Sequence, residues 1–146
     1  MKIGSVVNIK NICFRNGEVD HSFNRGRPCI YLGELEDKMC FMPLSNVSSL
    51  KHHVKTIIKP TYENGLKKTS HPNLRELIEK PIAYYEEIGI ISDDDVIKLF
   101  KGITSYYTEV RVPKDKKLLE LANNYLKYSP LRYVDDNTQK NKTSRL

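Results

Sequence analysis

No stretch of the 146-residue chain approaches the roughly 18 consecutive apolar residues that a membrane-spanning helix needs. The opening "MKIGSVVNIK" also lacks the apolar core of an export signal, so a cytoplasmic protein is the expectation. Cysteine is scarce. Cys13, Cys29 and Cys40 are odd in number and well separated, which excludes a disulfide framework and suits reduced thiols. Cys29 and Cys40 stand inside apolar runs, where a thiol behaves as a small hydrophobe. There is no C-x-x-C, and the pair His52-His53 has no partners in zinc-site spacing, so neither metal nor cofactor is expected. No internal repeat is visible.

What is present is positive charge, unevenly spread. The chain has 24 basic and 18 acidic residues, a net charge of +6. Residues 1–80 hold 13 basic against 8 acidic residues, and 51–80 alone hold 7 against 3, with His52, His53 and His71 added. An anionic partner fits this bias, nucleic acid before membrane because no basic amphipathic helix accompanies it. A solubilising surface fits the charge equally well.

The first sixty residues read as strands. "IGSVVNI" (3–9) is rich in β-branched residues, and "RPCIYLGEL" (27–35) is an apolar run opened by a proline that a strand start tolerates. "EDK" turns the chain into "MCFMPL" (39–44), predicting a hairpin, and "HVKTIIK" (53–59) alternates as another strand. Two polar loops interrupt, at 15–26 and 60–73; the first is long enough to be mobile and functional. Helices are predicted at "NLRELIEK" after Asn73, at "PIAYYEEIG" from Pro81 to Gly89, from Ser92 through Tyr107, and over 113–128, with a short strand at 108–112. Residues 1–134 then make one α+β domain, and 135–146 a polar tail without apolar periodicity.

Two clusters could carry chemistry. In "HSFNRGRPCIYLGE" the arginines Arg25 and Arg27 stand at the entrance to an apolar strand. A guanidinium fork matches two phosphate oxygens, and Pro28 aims the residue before it; a solvated basic turn is the plain alternative. In "MPLSNVSSLKHH" the residues Ser45, Asn46, Ser48, Lys51 and His52 follow the second hairpin strand. Such a cluster often only caps a turn. The hairpin, however, brings Leu44 and Ser45 beside Arg27 and Pro28, within one site-sized region.

Those pieces, "GSVVNI", "RPCIYLG" and "MPLSN" over residues 4–46, resemble the MazF/PemK/Kid endoribonuclease toxins. The second half, with "EEIGIISDDDVIKLF", looks more like the ToxN/AbiQ/CptN branch, whose members are restrained by a small RNA pseudoknot. The resemblance implies an SH3-like antiparallel barrel with packed helices, cleaving single-stranded RNA without metal through attack of the 2′-OH on the adjacent phosphorus. It implies messenger RNA as substrate, an RNA antitoxin as partner in an oligomeric complex, and a role in phage defence. By motif position Arg27 matches the arginine before the proline, and Ser45 the hydroxyl of the corner. Asn46 stands where relatives tend to have a second serine.

Physical roles can be assigned beside that likeness. Arg27 and Ser45 suit the stabilisation of charge on the non-bridging oxygens. Proton transfer asks for a group near neutral pKa, for which His21 is the first candidate and His52 or His53 an alternative; each could equally be an ordinary solvated side chain. Lys51 could act as acid or phosphate contact. Arg25, Ser48, Lys55, Lys67 and Lys68 would hold the RNA backbone, and Phe23, Tyr31 and Tyr62 would stack on bases. A non-catalytic RNA-binding module, a toxin with a protein antitoxin, and an interaction domain for an acidic protein remain as alternatives.

Overall fold

The computed structural model describes residues 1–21, 25–46, 56–109 and 112–128. The expected tail lies outside these residues, as do positions 53–55 of the fourth expected strand. The chain runs β1 (Ser5–Ile9), β2 (Arg27–Leu35), β3 (Lys38–Ser45), β4 (His71–Pro72), β5 (Ile78–Pro81), β6 (Glu87–Ile90), α1 (Asp93–Glu109) and α2 (Lys116–Tyr128). The strands form one antiparallel six-stranded open sheet in the order β4-β3-β2-β1-β6, with β5 paired to the first half of β3.

The expected hairpin is the centre of the sheet. Leu35 pairs with Lys38 across Glu36 and Asp37, both left-handed with φ of 52° and 61°, the conformation whose twist suits a two-residue hairpin loop. A register shift between Tyr31 and Gly33 inserts one extra residue. The bulge brings Leu32 and Leu35, three apart, into the same core. The apolar runs are continuous because both faces of the sheet are covered. One face places Val6, Ile30, Leu32 and Met42 against Leu99, Phe100, Ile103 and Leu118 of the helices. The other gathers Val7, Ile9, Ile12, Cys29, Tyr31, Phe41 and Ile78. Cys29 and Cys40 are fully buried within these cores.

The first long helix starts where its cap predicts, and the second starts at Lys116, three residues after the expected 113. The Asp95 amide donates to Ser92 Oγ at 3.1 Å, ahead of three first-turn aspartates that the helix dipole favours. The Leu118 amide donates to Asp115 Oδ1 at 3.0 Å. No helix among the described residues is long and apolar enough to cross a membrane.

Four expected elements are different. Over its described positions 56–59 the expected strand 53–59 makes only an isolated bridge from Ile58 to Ser70. The segment 74–80 is not helical: it ends in β5, with Ile78 paired to Phe41. Leu74, Leu77 and Ile78 are spaced as one helix face, yet Leu77 packs on the helix-side core and Ile78 on the opposite one. The alternation of a strand does that, and pairing with the free flank of β3 outweighs local propensity. Likewise 81–89 is a loop leading into β6, where Gly89 pairs with Val6 rather than ending a helix. The strand expected at 108–112 is absent at its start, because α1 continues through Glu109 and Thr108 donates its hydroxyl to Thr104 O at 2.8 Å.

Candidate functional site

The basic loop after residue 58 is a strap across one end of the sheet. Its organiser is Asn64, only 1% exposed. The Asn64 Oδ1 accepts from the amides of Thr61 and Leu66, and its Nδ2 donates to Lys59 O at 2.9 Å. The Ile90 amide donates to Glu63 O at 2.9 Å, which ties the strap to β6. Gly65 has φ +68°, and a Cβ there would stand 2.2 Å from Ile88 O, so only glycine lets the strap lie this close. At the other end Ile58 and Ser70 exchange two backbone hydrogen bonds before the chain pairs with β3. Lys67 and Lys68 are therefore carried by a strap fixed at both ends.

Between the strap and the ends of β1, β2 and β3 lies a cavity of about 520 Å³. Pro28, Leu44, Leu66 and Ile88 give it apolar walls, and Asn8, Ser45, Asn46 and Ser70 its neutral polar groups. Among the described residues the charged lining is Arg25, Lys67 and Lys68, with no carboxylate. A concave surface of one sign concentrates counter-ions, here anions. The structure thus brings Arg25, Ser45, Asn46, Lys67 and Lys68 together from three separate stretches of sequence.

A second arrangement crosses the same strand ends. Ser45 pairs directly with His71 of β4, so their side chains leave the sheet on the same face. Cys29 pairs with Pro43, and the same register two residues on sets Arg27 opposite Ser45. Arg27, Ser45 and His71 thus stand in a row over three adjacent strands. His71 was counted in the sequence only as charge. Its nearness to Ser45 depends on a two-residue strand that no periodicity reveals.

Arg27 is not the unpaired phosphate donor that the sequence suggests. Its Nε donates to Asp20 Oδ2 at 2.6 Å and its Nη1 to Leu44 O at 2.9 Å. The guanidinium also lies 5.8 Å from the centre of the Phe14 ring. Both charged side chains are largely withdrawn from solvent, 16% exposed for Arg27 and 7% for Asp20. Asp20 is held in turn, since its amide donates to Ile12 O at 2.8 Å and Cys13 bridges to Val19. The first half of the expected mobile loop is therefore a small closed hairpin that presents a carboxylate to Arg27.

The remaining expected site residues divide. His21 is exposed, and Tyr62 is 98% exposed. Tyr31 is buried, its ring centre 5.5 Å from that of Phe41, a position for packing rather than for stacking on a base. Burial also raises the Tyr31 pKa. Phe23, Ser48, Lys51, His52 and Lys55 lie outside the described residues. Among the described residues no three His, Cys, Asp or Glu side chains gather as a metal site would require.

No protein-family model matches the chain, and no curated protein is significantly similar to it in sequence.

Proposed function

We propose that the protein is a metal-independent endoribonuclease toxin that cleaves single-stranded RNA. The observation that carries this reading is the cavity whose charged lining residues, Arg25, Lys67 and Lys68, are all cationic and which Ser45 borders. A polyanion seated there meets phosphate-binding groups without an opposing carboxylate among the described lining residues. The sheet, with the strap running from β6 to β4, is in this reading the SH3-like barrel of MazF-like and ToxN-like toxins.

In the proposed reaction the 2′-oxygen bonds to the adjacent phosphorus as the bond from phosphorus to the 5′-oxygen breaks. A base takes the 2′-OH proton, and an acid supplies one to the departing 5′-oxygen. The products are a 2′,3′-cyclic phosphate and a 5′-OH. The Ser45 hydroxyl donates to a non-bridging oxygen as charge builds, and His71 beside it is placed to move a proton. His21 is the other described histidine proposed for that task. Arg27 acts from its ion pair by fixing the Leu44–Ser45 corner.

The deciding experiment is incubation of the purified protein with single-stranded RNA in excess EDTA, with analysis of the ends. Fragments carrying 2′,3′-cyclic phosphates support the reading; intact RNA excludes it. The pairing of Arg27 with Asp20 favours one second reading, an RNA-binding module without cleavage, because the charge best suited to the transition state is already balanced. Salt-sensitive RNA binding without fragments would establish that alternative.

A further inference from the structure

We infer that the cavity is a nucleotide-reading pocket in which Asn8 selects the base. The inference rests on the proposed action on RNA and names the part of the site that would give it sequence preference.

Asn8 is out of place by ordinary rules. It interrupts the run "SVVNI" of β1, where Val6, Val7 and Ile9 are all buried, and asparagine is disfavoured within strands. Two residues from Val6, it leaves the sheet on the helix-side face but beyond the helices, into the cavity. The side chain is half-buried, and its carboxamide makes no hydrogen bond to another described residue. The carboxamide is not sealed from solvent, so it stays open to a ligand that enters the cavity.

The surroundings supply what a nucleotide needs. Asn8 pairs with Pro28, whose ring, with Leu66 and Ile88, offers apolar surface to the faces of a base. A carboxamide has a donor beside an acceptor and can match the edge of one base better than another. Lys67 and Lys68 stand on the strap above for the phosphates. The volume of about 520 Å³ falls within the usual span of small-molecule pockets. Apolar walls, a solvent-open amide and cations of one sign occur here in a single cavity.

The test uses four uncleavable probes, 2′-O-methylated seven-nucleotide homopolymers of A, C, G and U, titrated at one fixed salt concentration. The wild-type protein is expected to bind one homopolymer about tenfold or more tighter than the weakest. Asn8→Ala should compress that spread to about threefold, whereas Lys67→Ala and Lys68→Ala should weaken all four alike. Should Asn8→Ala fail to fold, Asn8→Thr keeps a strand-forming residue and removes the amide. Equal binding of all four probes by the wild type, or an unchanged preference in the Asn8 variant, overturns the inference. Absence of binding to any probe, and of cleavage of unmodified RNA, overturns the proposed function itself.

Discussion

Ser45 at the end of β3 and His71 in the two-residue β4 are antiparallel partners, so a hydroxyl and an imidazole leave the same face of the sheet beside a cationic cavity. Ser45→Ala is expected to fold normally, because it removes no core, and to lose about 2.7–4 kcal/mol of transition-state stabilisation, as loss of one such donor does elsewhere. His71→Gln should remove one limb of the pH–rate profile while Ser45→Ala leaves the profile's shape intact. Single-turnover cleavage of a short RNA across pH measures both. Wild-type rates in Ser45→Ala would dismiss the assignment.

Arg27 reaches two acceptors in different directions, Asp20 Oδ2 and Leu44 O. A lysine ammonium cannot reproduce that fork. Arg27→Lys should therefore cost about 1.5–3 kcal/mol, the worth of a hydrogen bond to a charged group. Arg27→Ala should cost more, about 3–5 kcal/mol, because it leaves the carboxylate of Asp20 buried without its counter-charge. Adding Asp20→Ala to Arg27→Ala should recover part of the loss. Urea melts of the three variants decide whether the pair holds the corner or merely decorates it.

Two glycines separate backbone strain from close approach. Gly26 and Gly17 have φ of +91° and +90°, but a Cβ at Gly26 would stand 2.7 Å from the Ile9 carbonyl carbon, while at Gly17 nothing lies within 4 Å. Each alanine variant pays for the left-handed backbone, about 1–3 kcal/mol. Gly26→Ala should lose further stability because backbone cannot retreat as a flexible side chain would. Equal melting temperatures for the two variants would mean that β1 and the entrance to β2 are not held together as described.

Alkaline instability should come from the buried thiols. Burial pushes the Cys40 thiol up from its ordinary 9.0 to about 11, and raises Cys29 further. Between those values the unfolded chain has released the proton that the folded chain keeps, so it binds fewer protons and stability falls as pH rises. The contribution is complete below about pH 9 and is lost toward pH 11 for Cys40. The fall in urea-unfolding free energy from pH 8 to pH 10.5 should shrink in the Cys29→Ala/Cys40→Ala variant. An unchanged fall would assign it to other groups, Tyr107 first, since burial raises its pKa to about 12.

Lys67 and Lys68 lie on the cavity's outer strap, where a folded RNA could lie along the site while a short substrate enters it. On the reading of the protein as a toxin held by an RNA antitoxin, which we propose only as the resemblance implies it, reversing both to glutamate should weaken that restraint more than cleavage of a short oligonucleotide. Toxicity that escapes the antitoxin in cells is the expected outcome. Equal loss of restraint and cleavage would assign both lysines to substrate binding alone.

The central hairpin, both long helices and the burial of Cys29 and Cys40 were legible in the sequence because their signals are local. Apolar runs end at turn residues, Ser92 caps α1, and thiols inside apolar strands have nowhere else to go. The hairpin signal brought Ser45 to the Arg27–Pro28 end, whereas the register shift between Tyr31 and Gly33, which no turn residue announces, set the exact facing. Only the tertiary structure decided the rest. Leu74, Leu77 and Ile78 read as a helix face until the flank of β3 offers backbone partners and splits them between two cores. Arg27 reads as a free cation until the 12–20 hairpin closes and presents Asp20. His71, Asn8 and the strap lysines are 26, 37 and about 22 residues from Ser45 along the chain, and no pattern in the sequence relates them. Their meeting is set by pairing between distant strands and by one buried asparagine at the turn of the strap, which are properties of the folded chain as a whole.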